Sequence, residues 1–582
     1  MADSSFFTDS QALVQDALQG LCKTSSELVL DLNSKMITRS THDPSKNVTL
    51  ISGGGAGHEP AHAAFVGQGM LSAAVSGYVF ASPSVSQIIE AIHSVGGSAG
   101  TILIIKNYTG DIFHFNLAAE KARVRWGHRV EVLVVGDDVA VGRQRSGKVG
   151  RRGLAGTVLV HKILGALSVK GKSIDELLAV GKQVIENLVT CGVSQGHVKI
   201  PGTAPQKGPV QLELGMGIHN EPGLYILNPR PTLDGLLDRM LELLTRRDDE
   251  DRAHVNFEGE MPVLLLNNLG GTSQLEFSAI LHHLLERLAK KSLQPIRILA
   301  GAFMTSLDAL GFSITLLKAT PEMLDAIDDV TTAVGWPRSI ANPAAINGKQ
   351  VVDSKQDMLP TPLTDSAGPK IDPESFITAI RAACQSLLAA EPSITRADRI
   401  VGDGDCGTTL SRGANEVLKV LSESPFTPST SASAAVLRIA LALESSLDGT
   451  SGALYQLFVT ALAADLQTAP EETTTLETWA KAAGVALTRL QAMTPARVGD
   501  RTLMDALIPY IKALAKGDVE QAVEAARKGC ESTRGMEASL GRAVYVVSEN
   551  WDKVTDPGAE GIVAIVKGLS GGPKKELNYP TG

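Results

Sequence analysis

The sequence predicts an α/β N-terminal half joined to an all-α C-terminal half, and three observations carry that expectation. Over the first 340 residues, short β-branched runs alternate with helical patterns, as in layered α/β domains. From residue 372 onward strand-like runs nearly vanish and apolar residues recur at helical spacing. Between them, 341–371 loses its periodicity in a polar stretch broken by Asn342-Pro343, Leu359-Pro360-Thr361-Pro362 and Gly368-Pro369. That stretch reads as a linker. A Gly- and Pro-rich break near 190–210 divides the first half into subdomains of about 1–195 and 196–340.

Composition narrows the function. The 582 residues suit about two to four domains. Apolar content of 43% with 20% charged residues is that of a globular enzyme. A net charge of −9 argues against nucleic acid or an anionic membrane as partner. No apolar run approaches the roughly 18 residues of a membrane span, and the first residues do not resemble a signal peptide. Five scattered cysteines without CxxC spacing suggest a reducing compartment and no zinc site. The expected location is the cytoplasm.

Taken in order, Val48–Ile51 reads as a strand followed at once by the glycine-rich run Ser52–His62. Ligands of open α/β sheets sit at the carboxyl ends of strands. The glycines let backbone N–H groups approach a small polar ligand, and His58 offers a proton donor or acceptor. His62 falls a helical turn beyond and is expected to be structural. Thr101–Lys106 is a second strand whose exit carries Lys106 and Asp111, an acid and a cation able to flank a hydroxyl. Val130–Val135, Val263–Asn267, Ile296–Ala300 and Ser313–Leu317 are further strands, with a crossover helix over 273–292. Leu214–Gly223 echoes the first loop, with Gly-x-x-His-x-Glu-Pro against Gly-His-Glu-Pro. His219 in it is approachable, and imidazole can act as a nucleophile toward a carbonyl carbon or as a base. Gly165–Ser173 is a near miss for a phosphate loop, because one residue too many separates its glycines.

The helical half opens on Asp372-Pro373-Glu374, an N-cap with proline and an acid in the first turn. Phe376, Ile380, Cys384, Leu387 and Leu388 follow at helical spacing. The acidic loop around Asp398, Asp403 and Asp405 is the most informative stretch of this half. Crowded carboxylates repel unless a hard cation joins them, and Mg2+ shared with substrate phosphates fits that pattern. Gly402-x-Gly404-x-x-Gly407 matches the dinucleotide fingerprint in letters only, since two aspartates should not face a pyrophosphate without a metal between them. An EF-hand also fails, because Ala414 stands where its bidentate Glu belongs.

Together these stretches resemble the ATP-dependent dihydroxyacetone (glycerone) kinases, of the single-chain, two-domain eukaryotic kind. The resemblance rests on Ile51–His62, Lys106–Asp111, Gly136–Gly142, Leu214–Gly223, Asn267–Gly271 and Val401–Gly407, in the family's order. Gly449–Tyr455, Asp500–Asp505, Gly541–Tyr545 and Asp556–Gly558 extend it to nearly the whole chain. It implies a substrate-binding α/β half and a nucleotide-binding helical barrel at 372–582. It also implies phosphorylation of dihydroxyacetone, with glyceraldehyde also accepted, in glycerol metabolism. By resemblance, His219 adds to the substrate carbonyl as a hemiaminal. Gly54, Gly55, Ala56, Gly57, Lys106 and Asp111 hold the hydroxyls, Asp111 is the general base, and His58 and Lys106 assist. Asp398, Asp403 and Asp405 would bind two Mg2+ ions that bridge to ATP. Asp403, Gly404, Asp405, Cys406, Thr450, Ser451, Thr502, Leu503, Arg542, Asp556, Pro557 and Gly558 match nucleotide-contacting positions. The family assembles as a homodimer.

Three positions depart from the family pattern. Ala56 stands where many relatives have Ser, Asp448 where Gly is frequent, and Met493–Ala496 replaces a glycine-rich step. Two alternatives accompany the kinase reading: cyclisation of flavin adenine dinucleotide by the same metal loop, and a non-catalytic ketose-binding role.

Overall fold

A computed structural model describes residues 5–7, 9–201, 210–252, 254–337, 368–423, 426–447, 449–470, 472–540 and 551–571. The chain divides into two compact units, Met1–Val352 and Asp353–Gly582.

The first unit holds two six-stranded sheets. One comprises β1 (Leu28–Asp31), β2 (Met36–Arg39), β3 (Thr49–Ala56), β4 (Ala73–Val79), β5 (Thr101–Lys106) and β6 (Val130–Val135), in the order β1-β2-β4-β3-β5-β6. β4, β3, β5 and β6 run parallel, and the β1–β2 hairpin joins β4 antiparallel. The chain passes from β3 to β4 on one side and returns to β5 on the other. The carboxyl ends of β3 and β5 therefore form the switch point where open α/β sheets hold ligands. Helices Val85–Val95 and Thr109–Trp126 cover one face through Ile88, Ile92, Phe115 and Ala119. The other face meets helix Thr157–Val169, which is buried from Thr157 to Ser168.

The second sheet comprises β7 (Leu188–Gln195), β8 (Leu212–Leu214), β9 (Tyr225–Ile226), β10 (Val263–Asn268), β11 (Arg297–Gly301) and β12 (Leu310–Leu317), ordered β11-β10-β12-β7-β8-β9. Only β10 and β11 are parallel neighbours. β7 pairs with β12 along its whole length. The division expected at about 195 therefore falls after a strand of the second sheet, because long-range pairing assigns β7 and no local signal does. The strand expected at Val48–Ile51 is longer than its β-branched run. β3 continues through the glycines to Ala56, paired there with β4 alone after its pairing with β5 ends at Ser52, with a register irregularity between Gly54 and Ala56.

The second unit is all helical. Pro373–Val401, Cys406–Glu423, Ala432–Ser446, Gly449–Leu466, Leu476–Met493, Met504–Leu514, Val519–Glu531 and Pro557–Leu569 follow in order. Each packs on the next, and the last packs on the first, closing a ring. Asp372 accepts from the Ser375 N–H at 3.2 Å, capping the first helix as its sequence implies. The expected linker is shorter at this end: Lys370 bridges to Ser431 and Thr473, and Ile371 is buried in the helical core. Residues 341–367 of that linker, together with Arg542 and Asp448, lie outside the described residues.

Candidate functional site

The first cluster forms where β3 and β5 end. Gly54 needs to be glycine, since a Cβ there would lie 2.6 Å from Lys106 Nζ and 3.7 Å from Asp111 Oδ2. Lys106 ends β5 fully buried, and Asp111 stands in the first turn of the helix that follows. Their charged atoms are 3.6 Å apart. Asp111 also accepts from Ser82 Oγ at 2.5 Å. A buried pair of this kind persists only because each partner is satisfied.

His62, expected to be structural, is buried beside this cluster. Its Nε2 lies 3.2 Å from Lys106 Nζ, and its Nδ1 lies 3.0 Å from His161 Nε2 and 3.2 Å from Ser52 Oγ. An ammonium has only protons to offer, so His62 Nε2 accepts from Lys106. Burial, followed by the Lys106 charge, holds His62 well below the ordinary histidine range and brings His161 to about 3. Both rings therefore serve as neutral partners of the lysine. His161 had no signal in the sequence, because it projects from the middle of an apolar helix.

His58 and His219 meet from separate loops, their Nε2 atoms 2.9 Å apart. The loop before β12 seats His58: its Nδ1 lies 2.8 Å from the Thr305 carbonyl, and the Thr305 N–H donates to the His58 carbonyl. Burial, then His219 and Lys106, keep His58 well below the usual histidine range. His219 follows β8 and is the more accessible of the two, its side chain about one-fifth exposed. The Tyr108 ring stands edge-on to His219 with centroids 4.4 Å apart, while Lys106 Nζ lies 5.9 Å from its centre. Tyr108 thus joins the histidine pair to the lysine–aspartate pair. Gly55, Ala56 and Gly57 line the same strand exit, with Ala56 buried.

The second cluster lies in the helical unit. Asp398 sits in the last turn of Pro373–Val401, while Asp403 and Asp405 follow in the turn before Cys406–Glu423. One carboxylate oxygen from each comes within 4.8 Å of the others, and among the described residues no other such group of three occurs. Asp398 is buried and accepts from the Cys406 N–H at 2.9 Å, which fixes its carboxylate against the next helix. Asp403 and Asp405 are exposed. Gly404 turns the loop at φ +82, where an added Cβ would also press within 2.8 Å of Arg399 Cγ. An all-oxygen, anionic donor set at the start of a helix fits Mg2+ together with nucleotide phosphates.

Some of the other expected nucleotide positions lie beside one another in the same unit. Gly558 packs against Leu503, where an added Cβ would lie 3.3 Å from Leu503 Cβ. The Thr502 N–H and the Gly499 N–H both donate to Asp505, at 2.8 and 2.6 Å, which orders the turn carrying Thr502 and Leu503. Asp556 caps the helix beginning at Pro557 and is pushed up to about 7 by burial. Arg501 lies beside it and donates to the Met536 and Val554 carbonyls. Thr450 is exposed in the first turn of Gly449–Leu466, which also carries Ser451.

Known proteins match this arrangement along nearly its whole length. Residues 19–335 match the Dak1 domain and 400–571 match the DAK2 domain. Dihydroxyacetone kinase from Komagataella pastoris is 42% identical over 593 residues, covering 96% of each chain. The chain belongs to the dihydroxyacetone kinase family. Human triokinase/FMN cyclase is another member, 37% identical and covering 95% of this chain and 96% of its own. The dihydroxyacetone kinase from C. freundii in complex with AMP-PNP and Mg2+ superposes with a TM-score of 0.60 at 31% identity. That match covers 98% of this chain and all of the other. Among the described residues no helix is long and apolar enough to cross a membrane.

Proposed function

We propose that this protein transfers the γ-phosphoryl group of ATP to dihydroxyacetone, with glyceraldehyde as a second acceptor. The convergence of Lys106, Asp111, His58 and His219 on one strand-exit cluster carries this reading. His219 Nε2 is the nucleophile that anchors the substrate through its carbonyl as a hemiaminal, which selects ketoses over polyols such as glycerol. Asp111 accepts the proton of the attacking hydroxyl, with Ser82 and Lys106 holding its carboxylate in place. The backbone of Gly54–Gly57 surrounds the hydroxyls.

Asp398, Asp403 and Asp405 would hold two Mg2+ ions, whose chemistry when bound is to neutralise the nucleotide phosphates. Asp398 holds one donor against Cys406, while the helix start behind Asp405 favours anionic oxygens. Thr450, Ser451, Thr502, Leu503, Arg542 and Asp556–Gly558 form the remaining nucleotide contacts. A homodimer in the cytoplasm is the expected working form.

ADP release from Mg-ATP should require dihydroxyacetone and not occur with glycerol. His219→Ala and Asp403→Ala should each abolish it. A wild type inert with both acceptors would sink the kinase reading. The human relative is named triokinase/FMN cyclase, which favours one second reading, cyclisation of a flavin nucleotide at the same acidic loop. Release of a cyclic flavin phosphate with Mn2+, lost in Asp403→Ala and retained in His219→Ala, would support it.

A further inference from the structure

Asn267–Gly271 carries part of the family resemblance but has no place in the chemistry proposed above. Its residues act on 302–309, the loop that joins β11 to β12. The Asn267 side chain is fully buried in β10. Its Oδ1 accepts the N–H groups of Phe303 and Met304 at 2.8 and 2.9 Å, and its Nδ2 donates to the Met304 carbonyl at 2.8 Å. A carboxamide engaged at both ends admits one orientation only. Two residues on, the Leu269 carbonyl accepts the Ser306 N–H at 2.9 Å. Gly270 follows at φ +123, where a Cβ would collide with the Leu307 carbonyl. The motif thus fixes the loop from Phe303 to Leu307.

The loop in turn grips both histidine segments, through alternate residues. Thr305 seats the His58 ring and backbone, and its Oγ1 donates to the Glu59 carbonyl at 2.9 Å. The Leu307 N–H donates to the Gly57 carbonyl at 2.7 Å. Ser306, between them, serves the other segment. Its buried hydroxyl donates at 2.8 Å to the carbonyl of Ile218, the residue before His219. Among the described residues, the ring contact itself is the one hydrogen bond that joins the two histidine segments directly. The loop is their shared support.

That support bears on a proton. The Thr305 carbonyl can only accept, so His58 carries a proton on Nδ1 and offers a lone pair at Nε2. The proton in the 2.9 Å ring contact then belongs to His219 Nε2, the nitrogen that bonds the substrate on the carbonyl-adduct reading.

We propose that Ser306 is the positioning residue of His219, and that Asn267 positions Ser306 by fixing the loop. This rests on the carbonyl-adduct reading above. In the step, the His219 Nε2 proton passes to His58 Nε2 while the freed nitrogen pair bonds the carbonyl carbon. The carbonyl π pair moves to oxygen, which takes that proton from His58. One C–N bond replaces the π bond, and neither ring ends with a net charge. A misplacement of about 1 Å between reacting groups can cost about 10²-fold. One hydrogen bond lost from an otherwise intact loop should cost less.

The test uses the full chain. Steady-state ADP release from Mg-ATP gives kcat and KM for dihydroxyacetone. Carbon-13 NMR with carbonyl-enriched dihydroxyacetone, without nucleotide, gives the affinity of the protein-bound tetrahedral carbon. Ser306→Ala removes only the hydroxyl, and should weaken the adduct and raise KM by about tenfold while kcat stays within about twofold. Asn267→Ala should lose more adduct; Ser306→Ala decides the matter whether or not that variant folds. Thr272→Val is the control, because it removes a buried hydroxyl that donates to the Gly311 carbonyl at 2.9 Å, outside the loop. It should lower thermal stability as Ser306→Ala does and leave KM unchanged. Wild-type KM and adduct affinity in Ser306→Ala overturn the proposal and leave the adduct reading standing. Equal losses in Ser306→Ala and Thr272→Val mark general loosening and also overturn it, as does a fall in kcat alone. Wild-type turnover without a bound tetrahedral carbon overturns the adduct reading and the proposal together.

Discussion

The two units manage charge in opposite ways. In the α/β unit every ionic group of the candidate site is buried or half-buried and already satisfied. Lys106 has Asp111 and His62, Asp111 has Ser82, and the histidines have a carbonyl and one another. In the helical unit two of the three loop aspartates face solvent. A site for a small neutral ketose must supply its own order, because the ligand brings little binding energy beyond the groups it meets. A site for a metal–phosphate complex receives its order from the charges of the ligand. On the proposed function, the first arrangement is preorganised and the second would be completed by its ligand.

Perturbing each region should reveal that difference, and the largest effect is expected at Asp111, the proposed base. Asp111→Asn should lower kcat for dihydroxyacetone by about 10²- to 10⁴-fold. The tetrahedral adduct should still form in it; an adduct lost together with kcat would show that Asp111 positions the substrate rather than accepting its proton. Lys106→Met should destabilise the α/β unit by about 3–5 kcal/mol, because it strands a buried carboxylate, as denaturant unfolding would measure. The corresponding neutralisation in the helical unit should have the reverse sign. Metal-free Asp405→Asn should be slightly more stable than wild type, by less than about 1 kcal/mol, since it relieves repulsion within the loop.

Acidity should separate the units further. His58, His62 and His161 have folded-state values below the unfolded value of about 6.5, so they contribute stability present above that pH. That stability is lost progressively as pH falls below about 6.5. Asp556 is raised to about 7, so its contribution is full below its unfolded value and disappears as pH rises through about 7. Calorimetry from pH 8 to pH 5 should therefore lower the α/β transition, while Asp556→Asn should flatten the pH dependence of the helical one. Parallel shifts of both transitions would contradict the contrast. The smallest effect is expected at Ala56, buried at the end of β3. Ala56→Ser would add one neutral hydrogen bond to substrate and lower KM by at most about tenfold.

Much of this is legible in the order of residues alone. The periodicity of 372–401, the Asp372 cap and the D-x4-D-x-D spacing are local signals, because the residues that cooperate lie within a few turns of one another. Strand exits such as Lys106–Asp111 can be read for the same reason. Loop motifs identify His58 and His219, although nothing in either loop states that their rings meet. His62, His161, Ser82, Thr305 and Ser306 acquire their roles only through contacts between distant segments. His58 and Thr305 are 247 positions apart along the chain, and His62 and His161 are 99 apart.

By itself the sequence determined the α/β and all-helical division, the acidic loop, and the glycines that leave room for both sites. These follow from backbone propensity and short-range spacing, which act before the chain is packed. The tertiary structure alone decided that β7 belongs to the second sheet, that β3 extends to Ala56, and which ring nitrogen of His58 faces a carbonyl. Those outcomes depend on long-range pairing and on burial, which bring together segments that no local pattern joins.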